Sequence, residues 1–509
     1  MLLAAGEEVP GHLNRYVIEC MVGTGAYGAV YAAHDVRTPD RKVALKEFFP
    51  ARHPRDQAPL QALFDREKAV GMQASSHPLM PTFYEAFQSD GHYYIAQEFV
   101  VGTTLDEIIA RRHPIARAWV LKWSVSLCDA LAFLHSRQIV HHDLKPANIR
   151  ITPQGHLVLL DFGAAQYFGK GHEGSGPVEL YGTEGYLPPE LEADGKWVAD
   201  IRTDIFALGC VLYEMVAGVA PDQEQINQRS MYVTNSLIQQ PNADLNLVRL
   251  INRAISYNTE YRYNTAGAFL EELRQIAPPV LLVNKKTLWF GELTPGRPAP
   301  PMTVTLYNAG GGEITGTILS RTAWLSVSET RFAGNRHQVT VTVDPARAPE
   351  KGKPLTGRLD ITSDDQTDAT GTVCTGDKWS VECSLTVAAA PGLLQVETNG
   401  STPTLSLSAR RGQEASGQLV LRNDGDLPLD FQAEVSGGID GLTLTPASGT
   451  LAPKQPQAVT VTVPPGDLPP GEYRADILLR SAPRQTVTVP LTLRVQSPLG
   501  YMISKLSRA

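Results

Sequence analysis

Several familiar patterns are missing from this 509-residue chain. No stretch reaches the ~18 to 20 apolar residues that a membrane-spanning helix needs. The start, Met-Leu-Leu-Ala-Ala-Gly-Glu-Glu, has no basic region and no long apolar core, so it does not read as a signal peptide and a cytoplasmic location is expected. There is no basic run and no basic patch interleaved with aromatics, and the net charge is −8, so a nucleic-acid partner has no electrostatic support. Cysteine is scarce: five residues, too few and too scattered for a disulfide framework. Cys20, Cys128 and Cys210 lie in stretches that read as buried strand or helix, where a small apolar thiol is ordinary. Cys374 and Cys383 flank a hairpin-like segment, which leaves a bond between them open, although a cytoplasmic setting favours free thiols.

What is present is a folded composition, 42% hydrophobic and 19% charged, in a chain too long for one core; about three domains are expected. The chain is organised around His141-His142-Asp143-Leu144-Lys145-Pro146-Ala147-Asn148. A carboxylate, a lysine two residues on and an amide five residues on can converge on one phosphoryl group and its metal. Asp161-Phe162-Gly163 follows, and phosphoryl transfer needs both a base near the acceptor hydroxyl and metal-ligand positions at the ATP phosphates. Upstream, Val22-Gly23-Thr24-Gly25-Ala26-Tyr27-Gly28-Ala29-Val30 places three glycines between two β-rich runs, where backbone amides can approach phosphate oxygens. The run after it, Ala29 to His34, reads as a strand, which excludes the dinucleotide-binding context in which a helix follows. Lys42 to Lys46 alternates like a strand, and Phe64, Glu67 and Val70 mark one inward face of a helix.

This ordered series, from Gly23 to Arg262, resembles the protein kinase family, and in particular the bacterial Hanks-type (eukaryotic-like, PknB-like) serine/threonine kinases. The resemblance covers Tyr16 to about Ala277 and implies a bilobal α+β fold. It also implies transfer of the ATP γ-phosphoryl to Ser or Thr hydroxyls of proteins, itself included, in signal transduction. It assigns roles residue by residue. Val22, Gly23, Gly25, Gly28, Val30 and Ala44 would surround the nucleotide, and Lys46, paired with Glu67, would hold its α- and β-phosphates. Gln97 would be the gatekeeper, and the backbone of Glu98 and Val100 would bond adenine. Asp143 would be the base, Lys145 would neutralise the γ-phosphoryl, and Asn148 and Asp161 would hold Mg²⁺ (or Mn²⁺). Thr183, in the substrate-side P+1 loop, would bridge Asp143 and Lys145. Glu190, Arg262 and Asp204 would be scaffold. Two residues depart from the family pattern. His142 replaces the arginine that commonly clamps a phosphorylated activation loop, so activity should depend little on phosphorylation in Gly169 to Pro177. Arg150 occupies a usually aliphatic place below adenine, where its stem can pack while the guanidinium reaches solvent.

After Ala277-Pro278-Pro279 the composition shifts to Thr, Val, Gly and Pro in short alternating runs, which predicts all-β sandwiches. The pattern occurs twice: Thr305-Leu-Tyr-Asn308-Ala-Gly matches Val420-Leu-Arg-Asn423-Asp-Gly, and Gln338 to Pro345 matches Ala458 to Pro465, with a period of roughly 115 to 120 residues. Both repeats resemble bacterial Ig-like modules of the BACON or Hydin type. Trp324 reads as core, and nothing in these repeats suggests chemistry. The expected organisation is an N-terminal extension (1–15), a kinase domain (16–277), two Ig-like sandwiches (278–390 and 391–497) and a tail (498–509). The modules would bind an unidentified partner, space domains or fold back to inhibit the kinase. The rival reading of the whole is a pseudokinase scaffold that assembles partners without phosphoryl transfer.

Overall fold

The computed structural model describes residues 2–496 apart from 26, 51–52, 54–55, 169–182, 184, 191–199, 229–231, 242–243, 295–296, 298, 368–372, 399–402, 465, 467 and 482–484. The expected activation-segment loop, Gly169 to Pro177, and the expected tail therefore lie outside the described residues.

Alternation of buried and exposed side chains builds the upper lobe. Strands β1 (Glu8–Pro10), β2 (Arg15–Thr24), β3 (Gly28–Asp35), β4 (Thr38–Phe48), β5 (Phe83–Ser89) and β6 (His92–Glu98) form one antiparallel sheet in the order β1-β2-β3-β4-β6-β5. Tyr16, Ile18, Tyr31, Ala33, Val43 and Leu45 cluster in one buried group. Phe48 and Ile95 pack instead against Leu60, Leu63 and Phe64 of helix α1 (Gln57–Ala74). Glu67 and Val70 lie on the same buried stripe, as the i, i+3, i+4 spacing requires. Part of the expected N-terminal extension joins this sheet: Glu8, Val9 and Pro10 pair with Val17, Tyr16 and Arg15 as an edge strand.

The lower lobe is helical: α2 (Leu105–Arg112), α3 (Arg117–Ser136) and α4 (Ile201–Ala217), followed by short helices that include Leu245–Ala254 and Ala266–Leu273. Helix α3 is buried nearly all round between Val120 and Leu134, which makes it the lobe's centre. Asp200 caps α4 by accepting from the Arg202 amide, and Gly218 ends it in the left-handed region at φ 80°. Among the described residues no helix is long and apolar enough to cross a membrane.

The remainder is all β, in two modules with the same strand order. The first has a four-stranded sheet ordered Leu281–Val283, Met302–Asn308, Arg336–Val343, Leu325–Val327. Its five-stranded sheet runs Thr287–Leu293, Lys378–Val387, Pro354–Ser363, Thr315–Ser320, Arg331–Ala333. The second has Leu394–Glu397, Ala415–Asn423, Pro456–Val463, Thr443–Thr445, and then Leu405–Arg410, Gln485–Gln496, Gly471–Ser481, Leu429–Gly437, Ser448–Leu451. Leu419, Leu421, Phe431, Val459, Ile477, Leu479, Val489 and Leu491, drawn from both sheets of the second module, form one core. The repeated Asn-x-Gly turn explains itself physically. Asn308 Oδ1 accepts from the Val280 and Gly310 amides, and Asn423 Oδ1 from those of Leu393 and Gly425. A Cβ on Gly310 or Gly425 would lie 2.1 Å from a proline carbonyl oxygen, that of Pro278 or Pro391. Trp324 is buried at 3% exposure. None of the five cysteines is in a disulfide bond; Cys374 sits opposite Gln366 in a separate hairpin of the first module.

The chain forms two compact units: Met1–Leu288, Pro300–Thr342 and Gly357–Cys383 make up one, and Trp289–Ala299, Val343–Thr356 and Ser384–Ala509 the other. The units do not divide at the expected boundary of 277/278. Residues 300–342 and 357–383 of the first β-module fall in the same compact unit as the two lobes.

Candidate active site

The site lies between the lobes and is assembled by strand ends, helix α1 and the loops that carry Asp143, Asp161 and Thr183. The β2–β3 turn brings in the glycines; at Gly28 a Cβ would stand 1.9 Å from the Glu47 carbonyl oxygen, so only glycine fits there. Strand β4 delivers Lys46, and the inward stripe of α1 delivers Glu67. Lys46 Nζ donates to Glu67 Oε1 at 2.6 Å and to Asp161 Oδ1 at 3.2 Å, joining the lobes. Burial alone would lower the Lys46 ammonium's pKa, but Asp161 and Glu67 more than reverse this and raise it. Lys46 in turn holds the Asp161 carboxyl down to about 2, against burial. Burial pushes the Glu67 carboxyl up.

The loop carrying Asp143 is held from beneath by Asp204, which is fully buried on α4. Its carboxylate accepts from the His141 and His142 amides, each at 2.9 Å, and faces His135 Nε2 at 2.9 Å. That grip fixes a backbone that turns through the left-handed region at His142, φ 65°. Above it four polar side chains interlock. Thr183 Oγ1 donates to Asp143 Oδ1 at 2.9 Å, and Lys145 Nζ donates to Thr183 Oγ1 at 2.6 Å. Lys145 Nζ lies 2.9 Å from Asp143 Oδ2, the oxygen that also accepts from Asn148 Nδ2 at 2.9 Å. Lower in the lobe, buried Arg262 grips Glu190 through two bonds of 2.6 and 2.8 Å.

The cleft encloses about 620 Å³, a size suited to a small-molecule ligand. Its wall brings together Val22, Gly23, Gly25, Gly28, Val30, Ala44, Lys46, Glu67, Gln97, Glu98, Val100, Asp143, Lys145, Asn148, Arg150, Asp161 and Thr183. Glu190, Asp204 and Arg262 are not on that wall. Every residue lining the cleft lies between Val22 and Thr183, so among the described residues neither β-module contributes to it. Phe48, Leu63 and Leu160 also line it and had no role assigned from the sequence; each stands one or two positions from a residue that did, and only that adjacency signals them.

Two residues behave in ways their sequence context does not state. His142 is 4% exposed, and burial lowers its pKa to about 4, so it is a neutral imidazole near pH 7. Arg150 does not simply extend to solvent. It lies in the strand Ile149–Ile151, and its Nη1 donates to the Val100 carbonyl at 3.0 Å, occupying one of the acceptors on the segment after β6.

No group of three or more His, Cys, Asp or Glu side chains that could hold a metal exists among the described residues. Magnesium does not require one, because it commonly takes one or two protein oxygens and completes its shell with substrate phosphates and water. The Asp161 carboxylate and the Asn148 amide, on the same cleft wall, are hard oxygen donors of that kind.

Comparison with known proteins accords with this geometry. The model of the protein kinase domain matches residues 16–273, and that of Cep192 domain 3 matches residues 398–489, within the second β-module. Among curated proteins, the chain is similar to serine/threonine-protein kinase D of a Synechocystis strain, 31% identical over 276 residues, covering 52% of each chain. It is also 31% identical over 304 residues to serine/threonine-protein kinase PknB of Mycolicibacterium smegmatis, covering 57% of this chain and 48% of that one. Serine/threonine-protein kinase PknA of a Nostoc strain is 30% identical over 271 residues, covering 51% and 47%. The chain spans about half the length of the curated relatives it matches.

Proposed function

The chain belongs to the protein kinase family, and we propose that it is an active serine/threonine protein kinase, transferring the ATP γ-phosphoryl to Ser or Thr hydroxyls of protein substrates, itself included. The observation that carries this reading is the joint presence, on one cleft wall, of Lys46 paired with Glu67, Asp143, Asn148 and Asp161. A pseudokinase scaffold would not need all five.

In this reading the glycine turn and Lys46 hold the ATP phosphates, and the backbone of Glu98 and Val100 orients adenine. Asp143 accepts the proton of the acceptor hydroxyl as its oxygen bonds to the γ-phosphorus and the bond to the bridging oxygen of ADP breaks. Lys145 offsets charge on the transferring group, and Thr183 fixes both Asp143 and Lys145. Asp161 and Asn148 would hold magnesium or manganese, which when bound neutralises phosphate charge. The protein's contribution is positioning and fixed charge. Because His142 is buried and neutral, it cannot grip a phosphate as an arginine does, so a fully dephosphorylated sample should keep its activity.

The test is to incubate the intact chain with labelled ATP and Mg²⁺ or Mn²⁺, with and without a generic basic protein, and to identify the labelled amino acids. Label on phosphoserine and phosphothreonine is expected. ATP binding without transfer under either metal would overturn the proposal in favour of a scaffold.

A further inference from the structure

Among the described residues the first β-module touches the lobes at several places within one compact unit, one of them the bond from Arg274 Nε to the Ala309 carbonyl at 2.9 Å. Lys286, just past the strand Leu281–Val283, sends Nζ to the Met80 carbonyl at 3.0 Å and to Glu98 Oε2 at 2.5 Å. Its own carbonyl accepts from the Glu382 amide at 2.8 Å, so its backbone is anchored in the module's sheet. Lys122 of α3 reaches the opposite way, donating to the Thr375 carbonyl at 2.6 Å and to Asp377 Oδ1 at 3.1 Å. Asp377 Oδ2 accepts from the Leu281 amide at 2.8 Å, which ties the strand leading to Lys286 to α3. Tyr307 donates to Asp129 Oδ2 at 3.0 Å, the oxygen that also faces His77 Nε2 at 3.1 Å. The His156 ring stacks on Trp379 at 4.0 Å between centroids, and Trp379 Nε1 donates to the Leu281 carbonyl at 2.7 Å.

These contacts reach both lobes. Met80 and Glu98 belong to the upper lobe and its exit; Lys122, Asp129 and His156 belong to the lower. The pairs are substantially withdrawn from water, with side-chain exposures of 19% and 31% for Lys286 and Glu98 and of 8% and 12% for Lys122 and Asp377, so they are less screened than surface ion pairs. Glu98 is the meeting point. Its Oε2 also accepts from the Thr82 amide and hydroxyl, each at 3.0 Å, while the residue lines the nucleotide cleft.

We propose that the first β-module is a clamp across the two lobes, and that Lys286 is a positioning residue that sets the hinge at Glu98 for the nucleotide. The inference rests on the kinase reading above, since it takes the Glu98 backbone as an adenine contact. It makes ATP affinity depend on a side chain beyond the segment that matches the kinase family. A clamp that prealigns the hinge acts on binding and leaves the transfer step at Asp143 alone.

The experiment uses the full chain and the variants K286M, K286R, E98Q and K286M/E98Q, with calorimetric MgADP binding, steady-state transfer against ATP concentration, and thermal unfolding. K286M should raise the MgADP Kd and the ATP KM by about 3- to 10-fold with kcat within about twofold, and K286R should recover most of the loss. E98Q should behave like K286M, and the double variant should be no worse than either single. Unchanged KM and Kd, additive single effects, or a joint fall of kcat and Tm with KM unmoved would each overturn the proposal. If K286M does not fold, E98Q alone carries the test through the same KM and Kd readout. A wild-type chain that binds no MgADP would instead overturn the kinase reading itself.

Discussion

The same two lobes present a cleft side and a module side, and charge is used differently on each. On the cleft side Lys46, Asp143, Lys145 and Asp161 surround about 620 Å³ of space, and the Lys46 ammonium bridges two carboxylates. On the module side Lys122, Lys286, Asp377 and Glu98 are closed against one another and against backbone carbonyls. Charges around a cavity are placed to act on something else, whereas charges closed on each other define how two pieces of chain meet. A charge lost on the first side should therefore be felt in rate, and one lost on the second in stability or affinity.

Lys46→Met sharpens this contrast most. It leaves Glu67 and Asp161 together without their shared cation, and transfer should fall by roughly 10²- to 10³-fold in a labelled-phosphate assay while the chain stays folded. Lys122→Met is the counterpart on the module side. It strands the partly buried Asp377, and denaturant unfolding should show a loss of about 3 kcal/mol. Equal loss of rate and stability in both variants would break the comparison.

Next in size is a pH effect at His142. Its folded pKa, near 4, lies below the ordinary value of about 6.5, so the unfolded chain binds more protons between these values. The contribution of neutral His142 is complete above about pH 6.5 and is lost as pH falls toward 4. Between pH 7.5 and 5 this amounts to roughly 2 kcal/mol, measurable as a steeper acid loss of stability in the wild type than in His142→Gln. The smallest expected effect is that of Tyr307→Phe, which removes one hydroxyl bond to Asp129 and should cost about 1 kcal/mol.

The two sides also differed in how far the sequence disclosed them. The cleft was readable because phosphoryl chemistry constrains residue type at short spacing: Asp143, Lys145 and Asn148 within six residues, Asp161 before Gly163, and a glycine turn between strands. Helix and strand periodicity likewise located α1 and the module strands Met302–Asn308 and Pro456–Val463. The module side had no such signature. Lys122 meets Asp377 across 255 positions and Lys286 meets Glu98 across 188, and neither lysine stands in a motif. The internal repeat even hides the difference: Tyr307 aligns with Arg422, yet Tyr307 reaches Asp129 of the lower lobe, whereas Arg422 pairs with Glu397 of its own module. The engagement of Arg150 with the Val100 carbonyl was similarly invisible, because it depends on where one strand passes another segment.

The most direct test of the central claim is the initial rate of labelled-phosphate transfer by the intact chain and by Asp143→Asn at saturating ATP and Mg²⁺, with MgADP affinity measured alongside. Transfer to Ser or Thr by the wild type is expected, with a rate lower by roughly 10³-fold in the variant and MgADP affinity kept within about threefold. Equal rates in the two proteins, or no transfer by the wild type despite measurable nucleotide binding, would contradict it.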